Sequence, residues 1–137
     1  MSVAEELKEE ERARKIVLEV VKNAWNGYKI DRVYQYAEKR GISNIMARAA
    51  FWDLVNRSEI VLTWSRKAVT LERMILSLLK RSKTRYQPDT LTKKLEKLAP
   101  VNKKGVKKAV FNLLEQNLVT IDLDWKLKLN MEKQENK

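Results

Sequence analysis

Four lysines, Lys103, Lys104, Lys107 and Lys108, fall at i, i+1, i+4 and i+5 within NKKGVKKAVFNLLEQ, residues 102–116. On a helix that spacing builds two adjacent columns opposite the apolar set Val106, Val110 and Leu113, so four ammonium groups share one outward stripe. Ammonium groups in a row do electrostatics rather than bond-making: they attract phosphate oxygens and displace the counterions held there. Lys93, Lys94 and Lys97, just upstream, extend the charge toward flanking phosphates, which give affinity without reading sequence. A solvated face is the bland reading of any such run.

The corresponding stretch of the first half, SNIMARAAFWDLVNR at residues 43–57, offers different groups. Asn44 and Arg48 suit paired hydrogen bonds to adenine and guanine edges. Ile45, Ala49 and Trp52 beside them form an apolar surface, which favours contact with another protein over base reading. Farther on, Arg66 and Lys67 are placed to reach a phosphate or a minor groove. Asp122 and Asp124 stand in the matching run of the second half, where their carboxylates would repel such a ligand.

Bond-making chemistry is poorly provided for. The chain has no His and no Cys, which removes disulfides, thiolate nucleophiles, the common zinc sites and the usual neutral-pH proton shuttle. Ser65 and Ser77 have no histidine to activate them, and three glycines make no phosphate-cradling loop. Asp122 and Asp124 point the same way on a strand but lack a third metal ligand. The expectation is a non-enzymatic protein with no cofactor, no metal and no small-molecule substrate. No apolar run approaches the roughly 18 residues of a membrane span, and the acidic N-terminus is unlike a signal peptide. A soluble, intracellular, cytoplasmic protein is expected, nucleoid-associated if it binds DNA.

Of 137 residues, 29 are Lys or Arg and 18 are Asp or Glu, a net charge of +11. That excess selects a polyanionic partner by long-range attraction. It is uneven: residues 1–71 carry +3 and residues 72–137 carry +8, by count along the chain.

The elements that must position these groups recur. At an offset of 58, VLEVVK (17–22) falls on ILSLLK (75–80), Tyr28 on Tyr86 and Asp31 on Asp89. One inserted residue shifts the offset to 59, bringing residues 43–57 onto 102–116. A return to 58 then sets Ile60 on Leu118, Val61 on Val119, Val69 on Leu127 and Leu71 on Leu129. Each half predicts an amphipathic helix (about 13–25 and 71–82), a second helix capped by Asp31 or Asp89, and a turn. A third helix follows, capped by Ser43 or Asn102, with Ala47, Phe51 and Leu54, or Val106, Val110 and Leu113, facing inward. The β-rich runs 60–71 and 118–130 each predict a short antiparallel hairpin. The four tryptophans, Trp25, Trp52, Trp64 and Trp125, and four tyrosines, Tyr28, Tyr34, Tyr36 and Tyr86, are expected chiefly to fill cores. One irregular helical domain is the alternative to a duplication.

Helix, helix, turn, helix, hairpin resembles the winged helix-turn-helix superfamily. GISNIMARAAFWDLVNRSEIVLTW and PVNKKGVKKAVFNLLEQNLVTIDL carry the resemblance most closely, and it covers residues 11–130. Where that family customarily has Gly after the third helix, this chain has Ser58-Glu59 and Asn117. The resemblance implies a mainly α fold with small β-hairpins (α+β): two tandem winged-helix units, each three helices plus a wing. Boundaries are expected at 1–10 (acidic extension, helical or frayed), 11–71, 72–130 and 131–137 (flexible tail). With no Pro, Gly or Ser-rich spacer between them, the units are expected to be held nearly rigidly.

In that superfamily the third helix enters the DNA major groove. The resemblance therefore implies a double-stranded DNA-binding protein, a transcriptional regulator or chromosome-associated factor, with Lys103, Lys104, Lys107 and Lys108 at its centre. Tandem winged helices also occur in subunits of large sorting and condensin-like complexes, so a protein-interaction scaffold is the alternative. A protein partner or a homodimer stays open; a membrane does not.

Overall fold

The computed structural model describes residues 2–24, 27–82, 86–122 and 126–130. It divides into two compact units, Met1–Thr70 and Leu71–Lys137, and is mainly helical with small antiparallel sheets. The expected tail at 131–137, together with Trp25, Asp124 and Trp125, lies outside the described residues.

The first unit contains α1 (Val3–Lys22), β1 (Tyr28–Lys29), α2 (Ile30–Lys39), α3 (Asn44–Asn56), β2 (Ile60–Leu62) and β3 (Lys67–Thr70). Helix α1 begins ten residues before the expected start. Ser2 caps it by accepting the Glu5 N–H at 3.2 Å, and Glu5 and Glu6 complement the positive end of its dipole. The acidic extension is therefore helix. Packing of α1, α2 and α3 buries Ala13, Val17, Val21, Val33, Ala37, Phe51 and Leu54, with Ile60 and Ala68 of the hairpin closing the same core. Phe51 is the largest of these, fully buried, and truncation of such a side chain costs about 3–5 kcal/mol.

Strand β3 lies between β1 and β2, antiparallel to both. The two residues of β1 are too short to show periodicity in the sequence. Gly27 makes their approach possible: its φ is +85°, and a Cβ there would stand 2.8 Å from Lys67 Cβ and 2.9 Å from Val69 Cγ1. An L side chain there would be strained by both the crowding and the backbone.

The second unit contains α4 (Leu71–Ser82), α5 (Pro88–Glu96), α6 (Lys103–Glu115), β4 (Val119–Ile121) and β5 (Leu127–Leu129). Its buried set includes Ile75, Leu79, Leu91, Leu95, Val106, Val110, Leu113, Val119 and Leu127. Tyr86 forms a single antiparallel bridge to Leu127, its N–H donating at 3.4 Å and its carbonyl accepting at 2.7 Å.

Three helices and a hairpin thus appear in each unit, and their bonds recur 59 residues apart. Ser43 Oγ accepts the Met46 N–H and Asn102 Oδ1 accepts the Gly105 N–H, at 3.2 and 2.6 Å; such caps contribute about 1 kcal/mol each. Both third helices end through a left-handed residue, Ser58 at φ 61° and Asn117 at φ 60°. Ser58 N–H and Glu59 N–H bond back to Val55 and Leu54 carbonyls, while Asn117 N–H and Leu118 N–H bond back to Leu114 and Leu113. Ser58 adopts the turn as Asn117 does, although Ser carries a steric cost there that Asn relieves.

Two expectations need correction. Asp31 and Asp89 are not caps: α2 and α5 begin at Ile30 and Pro88 after Lys29 and Gln87, neither of which makes a side-chain cap bond. The aspartates sit one or two residues inside, in the first turn, where they face the helix dipole. The hairpin alignment is also off by one. Pairing of Ile60 with Thr70 and Leu62 with Ala68 matches that of Val119 with Leu129 and Ile121 with Leu127, so the offset stays at 59 throughout.

Candidate nucleic-acid interface

Helix α6 turns Val106, Val110 and Leu113 inward and leaves Lys103, Lys104, Lys107 and Lys108 exposed. The four lysines therefore form one face. Lys103 Nζ lies 3.2 Å from Asp89 Oδ1 of α5, with both side chains over 70% exposed (78% and 75%), a pairing worth little in water. Lys107 Nζ lies 6.0 Å from the ring centre of Phe111, which is itself 54% exposed. That aromatic was not singled out from the sequence, although it falls off the inner stripe on a helical wheel.

The charge arrangement on α6 works against the isolated fold. Helices α1, α2, α4 and α5 each carry an acidic residue in the first turn, opposite the positive dipole end. Helices α3 and α6 carry none there, and α6 has lysines instead. Lys103 with Lys107, and Lys104 with Lys108, are also like charges at i,i+4 spacing, which repel. An anion covering the face offsets these repulsions by attracting both the lysines and the helix N-terminus.

Lys93 and Lys94 are exposed in the last turn of α5. There cations complement the negative end of the helix dipole, a local reason for their presence that requires no ligand. Lys97 is the C-cap residue of the same helix.

In the first unit, Ile45, Arg48, Ala49 and Trp52 lie at i, i+3, i+4 and i+7 of α3, and all four are exposed. Ile45 is 79% exposed and Trp52 46%, so the apolar surface expected from the sequence is present. Arg48 is held over the Tyr34 ring, 5.4 Å from its centre, while Asn44 is half-buried at the first helical position. Tyr34 is buried, edge-on to Phe51 at 5.7 Å. Burial raises its pKa above the usual phenol value of 10.0, with Asp31 adding to the shift and a Trp52 hydrogen bond and the Arg48 charge opposing it.

Arg66 sits at the tip of the β2–β3 hairpin with φ 64°, exposed, and Lys67 follows on β3 directly opposite Lys29 of β1. The tip is closed by Lys67 N–H donating to Thr63 Oγ1 at 3.1 Å. In the other hairpin Lys126 N–H donates to Asp122 Oδ1 at 3.0 Å. Asp122 is thus a turn-closing acceptor in the position of Thr63, rather than only a repulsive charge.

The described aromatic residues meet the expectation of core packing in part, with Tyr28 and Tyr36 packed against the first unit's core. Tyr34 fulfils it, Tyr28, Tyr36 and Tyr86 are half-buried, and Trp52 and Trp64 stand out in solvent, Trp64 at 64% exposure. Among the described residues there is no cluster of three Asp or Glu that could hold a metal ion, and no helix is long and apolar enough to cross a membrane. Compared with known proteins, no family model, no curated protein and no solved structure matches the chain, so its functional reading rests on its own residues.

Proposed function

We propose that the chain is a double-stranded DNA-binding protein made of two tandem winged-helix units, acting as a transcriptional regulator or chromosome-associated factor inside the cell. Helix α6 enters the major groove with Lys104, Lys107 and Lys108 against phosphates, and no bond is made or broken. The observation that supports this reading is the first turn of α6: lysines at the positive end of a helix dipole, with no acidic residue in that turn and only the exposed Lys103–Asp89 pair to offset them. The arrangement costs the free fold stability, and a polyanion offsets that cost. Phe111, one turn beyond Lys107 on the exposed side, adds an apolar contact for a thymine methyl or sugar.

A mobility shift with random duplex DNA at two salt concentrations tests it. With five to eight phosphate contacts, affinity falls by roughly 10³ or more between 50 and 200 mM salt. Absent binding, or binding that ignores salt, defeats the proposal.

The second reading, a protein-interaction scaffold, is favoured by the exposed stripe Ile45, Ala49 and Trp52 on α3. Its apolar groups have nothing to offer a phosphate backbone. The two readings are compatible if each unit serves a different partner.

A further inference from the structure

Helix α1 outruns the core of its own unit. Its first buried residue is Ala13, and every residue from Ser2 to Arg12 is exposed. The helical part of that segment is about 15 Å long at 1.5 Å per residue, and only its last residues still neighbour the unit, Glu10 lining a groove against α3 and Arg12 reaching Gly41. It carries two apolar side chains one turn apart, Val3 at 72% exposure and Leu7 at 54%. Glu5, Glu6, Glu9, Glu10 and Glu11 against Lys8 and Arg12 give the projecting segment a net charge of −3.

Val3, Leu7, Glu10 and Arg14 recur at steps of four, three and four, a single stripe along α1. That stripe runs into a groove of about 350 Å³ between α1 and α3. Ala13, Met46, Ala49 and Ala50 line it with small or flexible apolar groups, Arg14 and Arg57 stand at its rim, and Glu10 lies where the projecting segment begins. Arg14 and Arg57 share one carboxylate, Asp53, at 3.2 and 3.3 Å, which leaves guanidinium capacity for a further acid. The segment cannot fold back into the groove of its own copy, because it is one continuous helix rising away from Ala13.

We propose that this groove receives the projecting α1 segment of a second copy. The two α1 helices run antiparallel about a two-fold axis, and each copy both gives and receives a segment. Val3 and Leu7 enter the small-residue groove of the other copy, and Glu6, which flanks them on the helix surface, meets Arg14 and Arg57 there. A two-fold contact of this kind is self-complementary and closes at two copies. It needs no nucleic acid, so its success or failure is separate from the DNA-binding proposal.

The test is sedimentation equilibrium of the full chain without DNA, from about 1 to 100 μM, a span that brackets weak dimers. The expected species has twice the 16.1 kDa chain mass. Val3→Glu with Leu7→Glu shifts it to monomer, weakening association about tenfold or more, as loss of central apolar contacts does. Glu6→Arg and Arg57→Glu each weaken the dimer, and together restore it. Ile45→Glu with Trp52→Glu leaves it dimeric. All these positions are exposed in the single chain, and unchanged circular dichroism verifies folding. A wild-type monomer at 100 μM overturns the proposal, as does a dimer that survives the Val3 and Leu7 changes or is lost through Ile45 and Trp52.

Discussion

Helices α3 and α6 have thirteen residues each, the same cap and the same exit, yet opposite outer faces. Where α3 shows Ile45, Arg48, Ala49 and Trp52, α6 shows Lys104, Lys107, Lys108 and Phe111, each 59 positions later. The inner stripes stay apolar in both, Ala47, Phe51 and Leu54 against Val106, Val110 and Leu113. The fold constrains only the stripe that packs. The outer face is free to vary, and the two faces keep in common a cation, Arg48 or Lys107, and an aromatic ring one turn on, Trp52 or Phe111.

If that contrast separates two kinds of partner, charge reversal should be felt unequally. Lys104→Glu with Lys107→Glu is expected to lower duplex affinity by about 10² to 10³ at moderate salt, because two phosphate attractions become repulsions. The matched pair Ile45→Glu with Arg48→Glu should lower it less than about tenfold. Fluorescence anisotropy with one labelled duplex measures both, and equal losses would erase the distinction.

A smaller contrast lies in the hairpins. Thr120 of β4 occupies the place of Val61 in β2, and among the described residues its Oγ1 is buried without a hydrogen-bond partner. Thr120→Val is expected to stabilise by about 1 kcal/mol, and Val61→Thr to destabilise by about 1–2 kcal/mol. Thermal melts should show the two variants moving in opposite directions; movement in the same direction would mean that Thr120 has a partner after all.

The smallest effect is a pH dependence confined to the first unit. Burial raises the Tyr34 pKa, so its phenol stays neutral in the fold where an unfolded chain would ionise. The resulting stability is fully present below pH 10 and is lost as pH rises through the native pKa. Urea midpoints at two pH values either side of 10 should therefore fall less in Tyr34→Phe than in the wild type. Equal falls would rule out Tyr34 as a contributor.

Much of the fold was legible because it is written in local chemistry. Ser43 and Asn102 are short polar residues immediately before an apolar stripe, and capping asks for little more. The inward residues of α3 and α6 follow from spacing alone. Hairpin register was not legible, because the adjacent apolar residues Leu118 and Val119 match Ile60 and Val61 as well as Val119 alone matches Ile60 after a slip of one; only ladder pairing decides. The lysine face of α6 could be read from spacing, whereas its departure from the acidic first turns of α1, α2, α4 and α5, a departure that α3 shares, emerges only once the helix starts are known. Exposure of Trp52 follows from its place beside Ile45 and Ala49 on the outer stripe of α3, whereas that of Trp64 was hidden by the usual preference of large rings for interiors.

The left-handed exits at Ser58 and Asn117 have a consequence for how a chain of this kind tolerates changes in length. Each exit ties the end of a helix to the first rung of a ladder, so adding or removing one residue there would swap every inward and outward side chain of the hairpin. The single extra residue of the second unit falls instead between Tyr86 and Asn102, upstream of the cap, where the connection between helices has no ladder to keep in step. Indels are tolerated where the backbone carries no phase, and the segment from cap to final strand behaves as one indivisible cassette.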